Sequence, residues 1–383
     1  MTDFNTIHQF NFPTTIRFGA GAINELPDHL AANNLSRPLL VTDPMVRQLD
    51  FFNKIVAGLQ AKNISVAIFS DIHKNPVKTD VLKGGDAYNE DNRDCIIGIG
   101  GGAAMDVARA VVLRIHHHRD LFDYDDLIGG DQYVTEEVPY FITVPTTSGT
   151  GSEVGRSAII SEDDTHRKRI LFAPKLMARI VFADPLLTME LPPFITAATG
   201  MDALTHNMEA FISKNFHPMA AGIGLEGIFL INQSIAGAVN QPTLESRSKM
   251  MIASLMGAVA FQKGLGVVHS LAHPLSSLLD THHGLANAVN LPYGMRFNGP
   301  GQEDQFKRIA RAMELQEETA QAVVAHLFEL NRQIGLPVKL RDIGVKEEHI
   351  ETLADLALAD FCHPNNPKPV TRNDFKHLYL EAL

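Results

Sequence analysis

Cysteine is nearly absent from this sequence. Its 383 residues hold two, Cys95 and Cys362, far apart and outside any Cys-x-x-Cys pair. That excludes a disulfide framework and a zinc finger, and it suits a reducing, cytoplasmic compartment. No run of about 18 apolar residues occurs, so no membrane span is expected. The opening segment MTDFNTIHQFNFPTT has neither a basic start nor an apolar stretch, and a secretory leader is not expected either. Positive charge is in deficit: 33 Lys and Arg stand against 44 Asp and Glu, a net charge of −11 dispersed along the chain. This balance disfavours nucleic acid and anionic membranes as partners.

What is present describes an ordinary globular enzyme. Hydrophobic residues make up 45% and charged residues 20%, and the length argues for two domains, each with apolar material for its own core. The first half alternates short β-branched runs with segments of helical periodicity. RPLLVTD (37–43), SVAIFSD (65–71), DCIIGIGGG (94–102), YFITVPTT (140–147) and RIVFADP (179–185) read as strands stopped by Asp, Gly or Pro. Strand–helix repetition of this kind predicts a parallel sheet covered on both faces, with ligands beyond the carboxyl ends of its strands. From about residue 190 no strand pattern remains and long helical patterns take over, with Pro192–Pro193 at the switch. The expected architecture is an α/β N-terminal domain, 1–188, followed by an all-α C-terminal domain, 189–383, with the cleft between them as the default active site.

Two glycine-broken loops follow strands in the first half. In GIGGGAAMDVARAV, Gly100, Gly101 and Gly102 leave bare backbone at the start of a helix, where amide N–H groups and the helix dipole attract a phosphate. Asp106 falls in the first turns of that helix. The spacing is not Gly-x-Gly-x-x-Gly, and a tight turn would use the same glycines. In VPTTSGTGSEV, the hydroxyls of Thr146, Thr147 and Ser152 suit phosphate, ribose or amide, and equally a structural turn. Asp43 ends an early strand, where a carboxylate can accept ribose hydroxyls and repel a 2′-phosphate, which would favour NAD over NADP, and where it equally suits a strand-ending turn before Pro44. Each feature alone is weak. Two such loops after neighbouring strands point to a nucleotide site.

The second half concentrates imidazoles. ATGMDALTHNMEAF sets Asp202 and His206 four apart, on one helix face. GVVHSLAHPLSSLLDTHHG repeats that spacing with His269 and His273 and adds His282 and His283, of which one is expected to face away. A carboxylate with imidazoles and no neighbouring cysteine suits a divalent first-row metal such as Fe²⁺ or Zn²⁺. The run HHH at 116–118 reads instead as solvated surface at a helix end.

Taken in order, GGGAAMDVAR, PTTSGTGSEV, DPLLTMELPP, TGMDALTHNMEAF and HSLAHPLSSLLDTHHGLANAV resemble the iron-containing (group III) alcohol dehydrogenase family over nearly the whole chain. The resemblance implies a dehydroquinate synthase-like two-domain architecture and hydride transfer between a small alcohol and NAD, with a metal polarising the alcohol oxygen. It places the metal ligands on Asp202, His206, His269 and His283, and the family's additional active-site histidine on His273. It places nucleotide contacts on Asp43, Asn75, Gly101, Gly102, Thr146, Thr147 and Lys168. It also implies a homodimer or larger homo-oligomer. Three positions depart from the family pattern: Ala103 replaces a serine, Gly155-Arg156-Ser157 replaces Thr-Arg-Phe, and Lys368 replaces an arginine. Arg156 and Lys368 are candidate receptors for a substrate carboxylate. Two other readings compete. A lyase like dehydroquinate synthase calls for cations near the metal, but 199–210 and 266–290 contain no Lys or Arg. A catalytically silent nucleotide-binding module would not need all four ligands.

Overall fold

The computed structural model describes residues 14–165 and 167–383. The opening segment read above for a leader lies outside them, except for its last two residues. Among the described residues the chain divides into two compact units. One holds 14–147 and 152–190; the other holds 148–151 and 191–383.

In the α/β unit, β1 (Thr15–Phe18), β2 (Pro38–Val41), β3 (Ala67–Phe69), β4 (Cys95–Gly100), β5 (Tyr140–Pro145) and β8 (Ile180–Ala183) form one parallel sheet ordered β1-β8-β5-β4-β2-β3. A separate antiparallel ribbon pairs β6 (Ser157–Ser161) with β7 (Lys168–Phe172). The helices are α1 (Leu26–Ala32), α2 (Asp50–Ala61), α3 (Lys78–Glu90) and α4 (Gly102–His116). Central strands are buried on both faces because their residues alternate between two cores. Leu39, Val41 and Ile96 meet Val81 of α3 and Val107 and Val111 of α4. Leu40, Ile97 and Ile99 meet Leu26 and Leu30 of α1 and Phe52 and Leu59 of α2. The chain leaves β2 toward β3 but leaves β4 toward β5, on the opposite side. The loops after β2 and β4 therefore diverge and open a crevice at the carboxyl edge.

All five expected strands are present. β1, β6 and β7 were not anticipated. Three of the four β1 residues are exposed, so it lacks an apolar run. In the ribbon only Ala158, Ile160 and Leu171 are fully covered, and its connection is charged. Arg109, wholly buried on α4, anchors this region. It donates to Leu176 O (3.2 Å), Ser157 O (2.8 Å) and Ser152 Oγ (2.9 Å), and also to Ser152 O. The histidine run also departs from expectation. His117 is buried, donating from Nδ1 to Leu113 O (3.0 Å) and accepting Glu136 N at Nε2 (3.1 Å), so only its neighbours are exposed surface. A helix end that a loop folds back upon needs such a bridge, and periodicity does not reveal it.

Glu153 follows Ser152 and is buried, with no hydrogen bond to Oε1 from any described residue. Burial pushes its carboxyl up to about 7, against a smaller opposing pull from its own backbone N–H and Arg109. A carboxyl raised above its ordinary 4.5 binds its proton more tightly when folded. Its contribution to stability is therefore present at acid pH and lost as pH climbs from about 4.5 to about 7. Glu153→Gln carries no such penalty. Thermal melts at pH 5 and pH 8 should show the variant gaining on the wild type by on the order of 2–3 kcal/mol at the higher pH. Equal differences at both values would contradict this.

The helical unit contains α5 (Pro193–Ile212), α6 (Pro218–Asn240), α7 (Leu244–Ala260), α8 (Val267–Leu279), α9 (His283–Asn298), α10 (Glu303–Ala312), α11 (Ala320–Gln333), α12 (Ile350–Leu358) and α13 (Arg372–Ala382), and no strand among the described residues. α5 is its axis, buried from Thr196 to Ile212, packed by α6, α7 and α9. Among the described residues α6 is the one single helix long and apolar enough, by length and composition, to cross a membrane, and α7 through Lys263 with α8 would qualify only as one span bent by 107°. In this fold Gly224, Ile228, Ile231, Ile235 and Ala238 form a buried stripe on it, at the spacing of a core helix with one solvent face. The segment 148–151 belongs to this unit. Gly151 has φ +63°, and a Cβ there would stand 2.2 Å from Ala258 Cβ on α7.

Candidate active site and metal centre

Four loops at the carboxyl edge of the sheet carry the expected nucleotide contacts: Asp43 after β2, Asn75 after β3, Gly101 and Gly102 after β4, Thr146 and Thr147 after β5. Asp43 Oδ1 accepts Met45 N and Val46 N, both at 2.9 Å, fixing the turn. Gly100 has φ +153°, and its Cβ would lie 2.7 Å from Ala104 Cβ. Gly101 precedes α4 and gives no side-chain cap, so the first amides of α4 have no side-chain acceptor at the cap. A Cβ on Gly101 would press on Thr147 Cγ2 at 3.3 Å. A bare, uncapped helix start flanked by hydroxyls is what an anionic phosphate requires. The Asn75 loop is pinned by Asp80, which accepts His73 N (3.1 Å), Val77 N (3.1 Å) and His73 Nδ1 (2.7 Å).

Asp106 and Ser152 are engaged with the chain itself. Ser152 Oγ donates to Asp106 Oδ1 (2.8 Å), and Ile159 N donates to Oδ2 (3.2 Å). Burial raises the Asp106 carboxyl to about 6, with Arg109, Ser152, Ile159 and more weakly Lys168 pulling down. Through these bonds α4 is joined to the turn before the ribbon and to β6, its first strand.

In the helical unit, Asp202 and His206 on α5, His269 on α8 and His283 at the start of α9 come together. Each offers one donor atom, and the four lie within 4.8 Å of one another. Asp202 Oδ1 is 3.9 Å from His206 Nε2, 4.0 Å from His269 Nε2 and 3.5 Å from His283 Nε2. A tetrahedron of ligands about 2.1–2.3 Å from an ion has edges of about 3.4–3.8 Å, so the donor set fits a divalent cation. The charge balance agrees. Burial would raise Asp202, but His206, His283 and His269 override it and hold the carboxyl at about 2. Burial, reinforced by His206, drives His269 well below its ordinary value. His282 faces away, as expected for one of the pair; its Nδ1 accepts Leu285 N (3.4 Å) and caps α9.

Three positions that bond to these side chains escaped sequence reasoning. Glu209, one turn beyond His206 on α5, is buried and accepts Val268 N (2.7 Å), His269 N (3.3 Å) and His269 Nδ1 (2.7 Å). It caps α8 and turns Nε2 of His269 toward the cluster. Asn287, four after His283, donates to Asp202 Oδ1 (2.7 Å). Both signals were legible as helical spacing from a ligand-type residue. Asp360, bonded to His273, gave none, being 87 residues away. Cys362 is buried beside His273 and Asp360, its thiol pushed up by burial, so a thiol does approach this region although the four-donor cluster has none. Lys368 sits 3.7 Å over the ring of Phe297, a residue fourteen past His283 and so about 21 Å along α9 from it. That placement removes it from the donor cluster. Arg156 lies over Phe172 in the other unit.

Carboxylates that fix a ligating imidazole typically contribute 10–100-fold to metal affinity. Glu209→Gln should weaken binding of Fe²⁺ or Zn²⁺ by about that factor in a competition titration against a chromophoric chelator. Unchanged affinity in a folded variant would refute this role.

A parallel dinucleotide-type α/β unit and a helical unit carrying an Asp/His₃ donor set, buried but for His283, define a two-domain architecture with the makings of a nucleotide site and a metal site. Comparison with known proteins makes it specific. The family model for iron-containing alcohol dehydrogenase matches residues 13–185, and that for the C-terminal part of the Fe-containing alcohol dehydrogenase family matches 196–383. A 4-hydroxybutyrate dehydrogenase of Cupriavidus necator is 36% identical over 97% of this chain and 98% of its own. The crystal structure of a 1,3-propanediol oxidoreductase superposes with a TM-score of 0.94 at 33% identity, covering 98% of this chain and 100% of its own. A sulfoacetaldehyde reductase from Bifidobacterium kashiwanohense, solved with NAD⁺, gives 0.88 at 26% identity over 98% and 99%. The chain belongs to the iron-containing alcohol dehydrogenase family.

Proposed function

We propose that this enzyme interconverts a short primary alcohol and its aldehyde with NAD(H), using Fe²⁺ held by Asp202, His206, His269 and His283. The observation that carries the reading is the convergence of those four donors, one anionic and three imidazole, without thiolate. Nitrogen and oxygen donors of this kind suit Fe²⁺, and the printed family name agrees. A bound divalent cation supplies Lewis acidity, lowering the pKa of an alcohol hydroxyl and polarising a carbonyl. Asp202 offsets part of the cation's charge, and Glu209 and Asn287 hold His269 and Asp202 in place. Burial of Asp202, His206 and His269 keeps water from competing with the substrate oxygen.

Gly100, Gly101 and Gly102, with Thr146 and Thr147, receive the pyrophosphate, and Asn75 and Lys168 add polar contacts. Asp43 accepts the ribose hydroxyls and selects NAD over NADP. Asp106 and Ser152 serve by fixing α4 and the ribbon. 4-Hydroxybutyrate, 1,3-propanediol and sulfoacetaldehyde, the compounds named for the relatives, are short chains with a second polar group. The substrate class proposed here is the same: small diols, hydroxy acids and hydroxyaldehydes.

The test is NADH absorbance with a panel of such alcohols and aldehydes, on protein stripped by chelator and resupplied with Fe²⁺ or Zn²⁺. Turnover restored by Fe²⁺ is expected. Tight NADH binding with no turnover of any substrate under any metal would overturn the proposal and favour a silent nucleotide-binding module.

A further inference from the structure

His273 lies outside the four-donor cluster yet is held as firmly as its members. Its ring is stacked on His283 (centroids 5.3 Å apart, 16° between planes), with Phe361 stacked on it as well at 5.5 Å and 28°. Asp360 Oδ2 accepts a hydrogen bond from Nδ1 at 2.7 Å. The other oxygen of Asp360 is fixed in turn, accepting Ser270 Oγ (2.6 Å) and Cys362 N (2.9 Å), and Ser270 Oγ accepts His363 N (2.9 Å). The carboxylate is nearly buried, at 8% side-chain exposure, while His273 keeps 23%. Nε2 of His273 has no hydrogen-bond partner among the described residues. An imidazole whose Nδ1–H is committed to a carboxylate keeps its lone pair on Nε2.

We propose that Asp360 is a positioning residue for the reaction, acting through His273: with Ser270 it fixes the ring so that Nε2 accepts a hydrogen bond from the substrate's hydroxyl beside the metal cluster. The inference rests on the alcohol dehydrogenase reading above. A carboxylate placed only to stabilise the fold would act independently of His273. One placed to orient the ring has no effect once the ring is gone.

That difference is measurable by a double-mutant cycle on the metal-loaded enzyme. Asp360→Ala should lower kcat/KM about 10²-fold, with metal content and NADH affinity as in wild type. In the His273→Ala background the same change should cost less than about 3-fold. Asp360→Asn, whose amide oxygen can still accept Nδ1–H, should recover part of the loss. If Asp360→Ala fails to fold, Ser270→Ala loosens the same carboxylate more gently and should show a smaller loss with the same non-additivity. Losses that multiply across the cycle, wild-type activity in Asp360→Ala, or loss of bound metal in that variant would each overturn the proposal. Wild-type enzyme with no turnover on any alcohol would overturn the underlying reading, and this inference with it.

Discussion

His269→Ala is expected to lose its bound cation and at least about 10³-fold in kcat/KM, the largest effect of any single substitution here. The reasons are cumulative. The imidazole supplies one of four donors, and three leave an incomplete set for a tight site. Its removal also strands Glu209, which would keep only backbone donors for a carboxylate that burial already raises to about 7. Asp202 would lose one of the three imidazoles that hold its charge against burial. Metal analysis of the purified variant, with melts to verify folding and His116→Ala as a surface control, checks the prediction. His116 is exposed and remote in function, so its variant should keep both metal and activity.

Gly101→Val is expected to abolish useful nucleotide binding, raising the NADH dissociation constant about 10²-fold or more while the protein still folds. The backbone at Gly101, φ −87° and ψ −165°, is open to any residue, so no conformational strain is added. The new side chain instead crowds Thr147 and covers the uncapped amides at the start of α4. About 2.7 kcal/mol, the equivalent of that change, is a small fraction of what several charge-assisted bonds to a pyrophosphate contribute. NADH fluorescence titration and a melt with and without NADH would measure it. Wild-type affinity would remove the glycine loop from the nucleotide site.

Much of this was legible in the sequence because the signals are local. The central strands are buried on both faces and therefore spell continuous apolar runs. The donor pairs Asp202/His206 and His269/His273 announce themselves by helical spacing, although the second pair divides, His269 joining the cluster and His273 going to Asp360. What stayed hidden depends on tertiary neighbours. β1 and the β6–β7 ribbon each have one poorly covered face, so their pattern is too polar to stand out. Asp106 and Ser152 have the residue types of a phosphate site, but they bond each other and the buried Arg109, one helical turn beyond Asp106, recruits them. Asp360 and Cys362 reach His273 only because the segment after α12 folds back on α8.

The central claim is that one divalent cation, held by Asp202, His206, His269 and His283, is required for alcohol turnover. Stoichiometric titration of Fe²⁺ into chelator-stripped protein, with NADH formation followed at each addition, tests it most directly. Activity is expected to rise in proportion to bound metal and to level at one ion per chain. Full turnover by stripped protein, with metal below detection, would contradict it.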